Sequence, residues 1–375
     1  MRIVLLTLVL VFSITSCSNN KQGIDKKHVS EVANRVADWQ VANFTYRESG
    51  NLHDYGIDAW TNGVFYLGLA QWADKSKKKE EYFSWLYDSI GQKNNWSIPA
   101  NFVNYEPIGI YHADELCVAQ SYIEMYNKYG EAKMIDATKE RLDSIMLYPG
   151  NESMSHRNKQ SWSWCDALFM APPVYLGIAQ IVKDNSYIDF MHNKFMDTYT
   201  HLYDEKEELF YRDDRFLEQR EINGHKIFWG RGNGWVVAGL ANILKLMPED
   251  DSRREFYVKL FTDMSSRLSL LQHEDGFWHA SLLDPDSYPS PETSATALIT
   301  YALAYGINSG ILDKEQFYEP MYKAWTSLLS AVDESGKLGW VQPIGADPKS
   351  VTADMTSVYG PGAFLMVASE IYEMK

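Results

Sequence analysis

Six apolar segments recur along this chain at intervals of 52 to 66 residues, and no other feature restricts its fold as much. They begin at Trp60 (WTNGVFYLGLAQWA), His112 (HADELCVAQSYIEMY), Cys165 (CDALFMAPPVYLGIAQIV), Arg231 (RGNGWVVAGLANILKLM), Ser294 (SATALITYALAYGI) and Tyr359 (YGPGAFLMVASEIYEM). Their apolar residues follow helical spacing but cover most of the circumference, which is the pattern of helices buried on all sides. Between them run charged, amphipathic helices at about 26–41, 78–92, 131–147, 186–203, 252–272 and 315–331. Six buried and six amphipathic helices in alternation predict an all-α ring of helical hairpins, an (α/α)6 toroid. An open solenoid would need atypical capping units at its ends, and the first and last units carry none. Strand signal is confined to 205–230, where Asn223-Gly224 fits a hairpin turn.

In such a ring the loops that enter the inner helices gather at one mouth. The unusual residues fall there: His53, Asp54, Asp58, Asp114, Asp166, Arg212, Arg231, Trp235, His279 and the turn Tyr359-Gly360-Pro361-Gly362. With 12 Trp, 24 Tyr and 16 Phe, the chain can fill a large core and still line a sugar-binding cleft. Its formal net charge of -15 argues against nucleic acid or an anionic membrane surface as a partner. An anionic ligand would therefore need cations concentrated at its site.

Asp166 lies in Trp162-Ser163-Trp164-Cys165-Asp166-Ala167-Leu168-Phe169. Apolar neighbours desolvate a carboxyl, raise its pKa and suit it to general acid work. The competing reading is an N-cap for the helix that follows. Asp114 opens the preceding inner helix, so adjacent hairpins would bring the two acids side by side; capping competes here too. Arg231-Gly232-Asn233-Gly234-Trp235 offers glycines for a tight turn, a guanidinium fork for a carboxylate and an indole face for a sugar. Trp164 and His112, in the same lead-ins as the two acids, complete the candidate binding set.

The first residues, MRIVLLTLVLVFSITSC, combine a basic start with a short apolar run, as in a secretory signal. The small residues before Cys17 are similar to a bacterial lipobox. The expected division is a signal peptide over 1–16, a lipidated tether over 17–25 with the lipid on Cys17, and a single catalytic domain over 26–375. The expected location is a membrane of the cell envelope, facing the periplasm, with the lipid as the only membrane contact. Cys117 and Cys165 read as small buried residues rather than a disulfide framework. HExxH, zinc-type Cys/His spacing, Walker and GxSxG motifs are missing, so neither metal nor cofactor is expected. DPDSYPSPE (284–292) reads as an acidic surface loop in preference to a calcium site.

WCDALFMAPP, WGRGNGW and YGPGAFL together resemble the unsaturated rhamnogalacturonyl hydrolases of glycoside hydrolase family 105, relatives of the family 88 unsaturated glucuronyl hydrolases. The resemblance runs from about Trp39 to the C-terminus. It implies hydration of the C4=C5 double bond that a polysaccharide lyase leaves on a terminal uronate. The family's catalytic acid falls on Asp166 and its second acid on Asp114; Arg231 and Trp235 match residues lining the uronate site. The pattern departs at Leu209-Phe210-Tyr211-Arg212-Asp213, where Arg212 stands in place of a histidine. A cation there suits a carboxylate or a sulfate, which makes a sulfated ulvan-type oligosaccharide a rival to a pectin-derived one. An ordinary inverting glycosidase or lyase on the same toroid is one alternative, and a glycan-binding lipoprotein without catalysis is another.

Overall fold

A computed structural model describes residues 23–44, 56–99 and 109–375. Cys17, His53 and Asp54 lie outside the described residues.

The predicted helices form in sequence order. Asp25 caps the first, α1 (Lys26–Ala42), by accepting from the amides of Lys27 and His28. There follow α2 (Trp60–Ala73), α3 (Lys79–Ser84, continued by a wider π-turn over Trp85–Gln92), α4 (Cys117–Tyr129), α5 (Asp136–Leu147), α6 (Ala167–Met170), α7 (Pro172–Val182) and α8 (Ser186–Leu202). Then come α9 (Gly230–Leu246), α10 (Arg254–Leu270), α11 (Thr293–Ser309), α12 (Lys314–Ser330) and α13 (Tyr359–Glu373). Inner and outer helices differ as their patterns require. From Gly230 to Leu244 every residue of α9 is buried, whereas α10 buries the stripe Tyr257, Leu260, Phe261, Met264, Ser265 and Leu268.

The inner helices close a ring: α2 packs on α4, α4 on α7, α6 and α7 on α9, α9 on α11, α11 on α13, and α13 back on α2. Outer helices back the inner helices that precede them: α3 backs α2, α8 backs α7, α10 backs α9 and α12 backs α11. By the same rule α1, the first helix, backs α13, the last. The seam where the ring closes is a crossing of two glycines. A Cβ on Gly68 would stand 2.1 Å from the Gly362 carbonyl oxygen, and one on Gly362 would stand 2.5 Å from that of Val64. The expected turn at Tyr359-Gly360-Pro361-Gly362 is therefore corrected: these residues are the first turn of α13, and the glycine at 362 serves close approach of two backbones. The glycines at 232 and 234 are likewise helical and make room for Cys165 and Leu298.

Two further details differ from the sequence expectation. The third inner helix breaks at Ala171, because Pro172 and Pro173 supply no amide hydrogens for a continuous helix. The expected hairpin over 205–230 is two smaller features: strands β1 (Tyr203–Asp204) and β2 (Leu209–Phe210), and a turn at Asn223-Gly224 flanked by an Arg220–Lys226 bridge. Gly224 has φ +85°, as that turn requires.

Candidate active site

The lead-ins to α6 and α9 are stitched together. The Cys165 amide donates to the Arg212 carbonyl at 2.9 Å, and Trp164 bridges to Asp213. This pairing carries Arg212 to Asp166, 46 positions earlier in the chain. Its Nε donates to Asp166 Oδ2 at 3.2 Å, while its Nη1 donates to Asp213 Oδ2 at 2.7 Å. Arg215 forks onto the same Asp213, with Nε to Oδ1 at 2.8 Å and Nη2 to Oδ2 at 2.7 Å. Asp213 is wholly buried and, despite the upward push of burial, these two guanidinium groups hold it below the usual carboxylate range. It anchors the Arg212 guanidinium from one side while Asp166 takes it from the other.

Asp166 is 8% exposed, and the Cys165 thiol also points at its Oδ2, at 3.7 Å. Burial pushes its carboxyl above the ordinary value; Arg212 opposes the rise and the charge on Asp114 adds to it. The capping alternative fails for this residue, since its side chain accepts no helix-terminal amide. Asp114 does not cap either: it lies within a short turn over Ala113–Leu116, and its Oδ1 accepts the Trp164 indole N–H at 3.3 Å. Its Oδ2 is 3.9 Å from His112 Nδ1. Burial holds the His112 imidazole below its ordinary pKa, against the pull of Asp114. That ring stacks on Trp164 at 4.7 Å, and the Lys159 ammonium sits over the same indole at 5.2 Å. Asp114, Asp166, Arg212, Trp164 and His112 are thus brought together.

Arg231 and Trp235 lie beneath them. Arg231 is 1% exposed, and its fork is not open: Nη1 donates to the Gln342 carbonyl at 2.5 Å and Nη2 to that of Pro343 at 2.9 Å. Its guanidinium lies between the rings of Trp229 and Tyr359. The expectation of a free carboxylate fork gives way to a buried strut that ties α9 to the 340–343 segment. Trp235 is 1% exposed and packed by Phe169, Trp60 and Tyr359, so the expected indole face for a sugar is instead buried in an aromatic cluster. Asp58 sits on the first lead-in, where burial raises its carboxyl. Cys117 and Cys165 are buried and unpaired, as expected.

Sequence reasoning passed over Lys159, Asp213 and Arg215. The alternation of charge in Arg212-Asp213-Asp214-Arg215, directly after an apolar pair, was the available signal for the latter two. Lys159, Arg212 and Arg215 supply the local cations that an acidic protein needs at an anionic ligand's site, and Asp213 fixes the two guanidinium groups.

The family and relatives of this chain identify it as a glycoside hydrolase, a class that suits a helical toroid with a desolvated carboxyl and clustered guanidinium groups at its mouth. The chain belongs to Glycosyl Hydrolase Family 88, whose profile matches residues 32–375. It is 37% identical to an unsaturated 3S-rhamnoglycuronyl hydrolase of Formosa agariphila, over 99% of this chain and 98% of the relative. Among solved structures, a family 88 glycosyl hydrolase from Bacteroides vulgatus aligns with a TM-score of 0.82 and 28% identity, covering 93% of this chain and 99% of that one. A structure named as a polysaccharide lyase aligns with the same TM-score at 30% identity, covering 92% and 97%. The resemblance drawn from WCDALFMAPP, RGNGW and YGPGAFL is borne out at the level of families 88 and 105 together.

Proposed function

We propose that this enzyme removes a 4,5-unsaturated uronic acid from the non-reducing end of rhamnose-containing oligosaccharides that polysaccharide lyases release, by hydrating the C4=C5 bond. The observation that carries this is Asp166, a carboxyl raised by burial yet in contact with a guanidinium. Protonated Asp166 delivers its proton to C4. Water then adds at C5, and the Asp166 carboxylate takes a proton from it, so one group serves as acid and then base. The C5 hemiketal opens by breaking its bond to the ring oxygen, leaving a ketone at C5. The hemiacetal at C1 then releases the next sugar. Asp114, fixed by the Trp164 indole, lies on the same lead-in cluster to position the water. Arg231 acts through its buried charge and by holding the 340–343 segment.

Arg212 gives the site its substrate preference in this reading. A uronate carboxylate, or a sulfate on the neighbouring rhamnose, competes with Asp166 for its guanidinium. Binding would then free Asp166 from its cation and favour the protonated form when the acid is needed. The similarity to a protein named unsaturated 3S-rhamnoglycuronyl hydrolase supports a sulfated, ulvan-type product over an unsulfated, pectin-derived one.

Lyase digests of ulvan and of rhamnogalacturonan, incubated separately with the protein, should lose the ultraviolet absorbance of the conjugated double bond, with the ulvan digest reacting faster. A rise in absorbance on intact polysaccharide would show lyase chemistry instead. Cleavage of saturated oligosaccharides would show ordinary hydrolysis. Arg212→Gln removes the group that lowers the Asp166 pKa. Because the reactive form is protonated and Arg212 holds Asp166 in the free enzyme, the alkaline limb of the kcat/KM profile should move to higher pH, with KM raised roughly tenfold or more for loss of a charge-assisted contact. An unmoved limb would separate Arg212 from Asp166 in the mechanism.

A further inference from the structure

We propose that His273, Asp275 and His279, on the lead-in to α11, form a structural site for a divalent transition ion of the zinc class. The three side chains offer one ligand atom each, all within 4.8 Å of one another. His273 Nδ1 stands 3.2 Å from Asp275 Oδ1, and His279 Nε2 stands 3.1 Å from Asp275 Oδ2. Ligands on a tetrahedral zinc ion, bound at about 2.0–2.2 Å, lie about 3.3–3.5 Å apart. Each histidine nitrogen therefore stands near that separation from one oxygen of Asp275, whose carboxylate lies between the two imidazoles.

The hydrogen bonding favours an ion over a chance cluster. His279 Nδ1 lies 3.4 Å from the Pro285 carbonyl, which can only accept. The Nδ1–H tautomer leaves the Nε2 lone pair facing a carboxylate oxygen, an acceptor opposite an acceptor. A cation between them resolves the conflict, and a backbone carbonyl on the far nitrogen is the usual support for a metal-bound imidazole. His273 Nδ1 is itself buried and makes no hydrogen bond. A second histidine nitrogen thus meets the same carboxylate without a proton placed between them.

The loop is held rigidly enough to keep that arrangement. Gly276, at φ +87°, closes a turn in which the His273 amide donates to the Phe277 carbonyl at 3.0 Å. The Phe277 amide donates to Asp275 Oδ1 at 3.0 Å, and Ser327 Oγ donates to the Asp275 carbonyl at 2.7 Å. The His279 side chain is only 1% exposed, but those of Asp275 and His273 are 36% and 38% exposed, so an ion can enter from solvent. The spacing His-x-Asp-x3-His matches none of the familiar metal motifs, which is why sequence inspection passes over it.

The site sits next to the machinery without being part of it. Directly after His279, the Ala280 carbonyl accepts the Gly230 amide at 2.8 Å, and Ser281 bridges to Trp229. An ion here would brace the strand-like segment against which α9, with Arg231, begins.

The test is calorimetric titration of the purified, chelator-treated protein with zinc chloride alone, together with its melting temperature with and without zinc. One equivalent should bind and raise the melting temperature. His273→Ala, at a half-exposed position, and Asp275→Asn, which keeps an oxygen for the Phe277 amide, should each weaken binding at least tenfold. His156→Ala should not, although His156, Asp213 and Asp214 form the other candidate group among the described residues. Absence of one-to-one binding, undiminished binding in Asp275→Asn, or loss in His156→Ala in place of His273→Ala would each overturn the assignment.

Discussion

Asp166→Asn should lower kcat by roughly 10²–10⁴-fold while the protein remains folded. The amide matches the carboxyl in shape but can neither give a proton to C4 nor take one from water. Asparagine can still accept from Arg212 Nε through its side-chain oxygen, and Arg212 keeps Asp213 as its charged partner. Removing a buried carboxyl whose pKa is raised by desolvation also removes a destabilising term, so thermal stability should hold or rise. Steady-state kinetics on an unsaturated disaccharide, beside a melting curve, separates the two effects. Near-normal kcat would remove Asp166 from its acid and base role. A collapsed melting curve would show that the carboxylate serves Arg212 and the fold.

The largest stability effect should come from Gly68→Val. Any side chain at this position meets a backbone oxygen at 2.1 Å, and neither helix backbone can move aside as a flexible side chain would. Relief requires α2 and α13 to separate, opening the seam of the ring. Overpacking of a core ordinarily costs about 1–3 kcal/mol; a backbone clash with a β-branched residue should reach the top of that range or pass it. The measurement is chemical or thermal unfolding of the purified variant. An unfolding midpoint equal to that of the parent would show that the seam is plastic.

Much of the architecture was legible because it rests on periodicity. Helices buried all round and helices buried on a stripe have different patterns, and the alternation of α9-like and α10-like segments follows directly from where each sits in a ring. The two acids were legible for related reasons: Asp166 is a polar residue in an otherwise apolar lead-in, which desolvation makes conspicuous, and Asp114 opens the preceding inner helix, where the ring brings it alongside. What was not legible depends on contacts between distant segments. RGNGW reads the same whether Arg231 faces a ligand or two carbonyls, because Gln342 and Pro343 lie on a segment that nothing in the motif specifies. The glycines at 232, 234 and 362 look like turn formers, but their small size is used across helix–helix contacts that only the closed ring creates. Lys159 needs Trp164 beneath it to become part of the site.

The pairing of α1 with α13 has a consequence for how the molecule comes into being. The joint that closes the ring sets α13 against α1 and α2, which lie far from it in sequence, so the core is complete only when these distant segments meet. Contacts between such distant segments are entropically slow to form. Until they do, α2 presents to water the apolar face that α13 will cover. Loss of a few C-terminal residues should therefore act on yield and aggregation more than on the chemistry of those molecules that do mature.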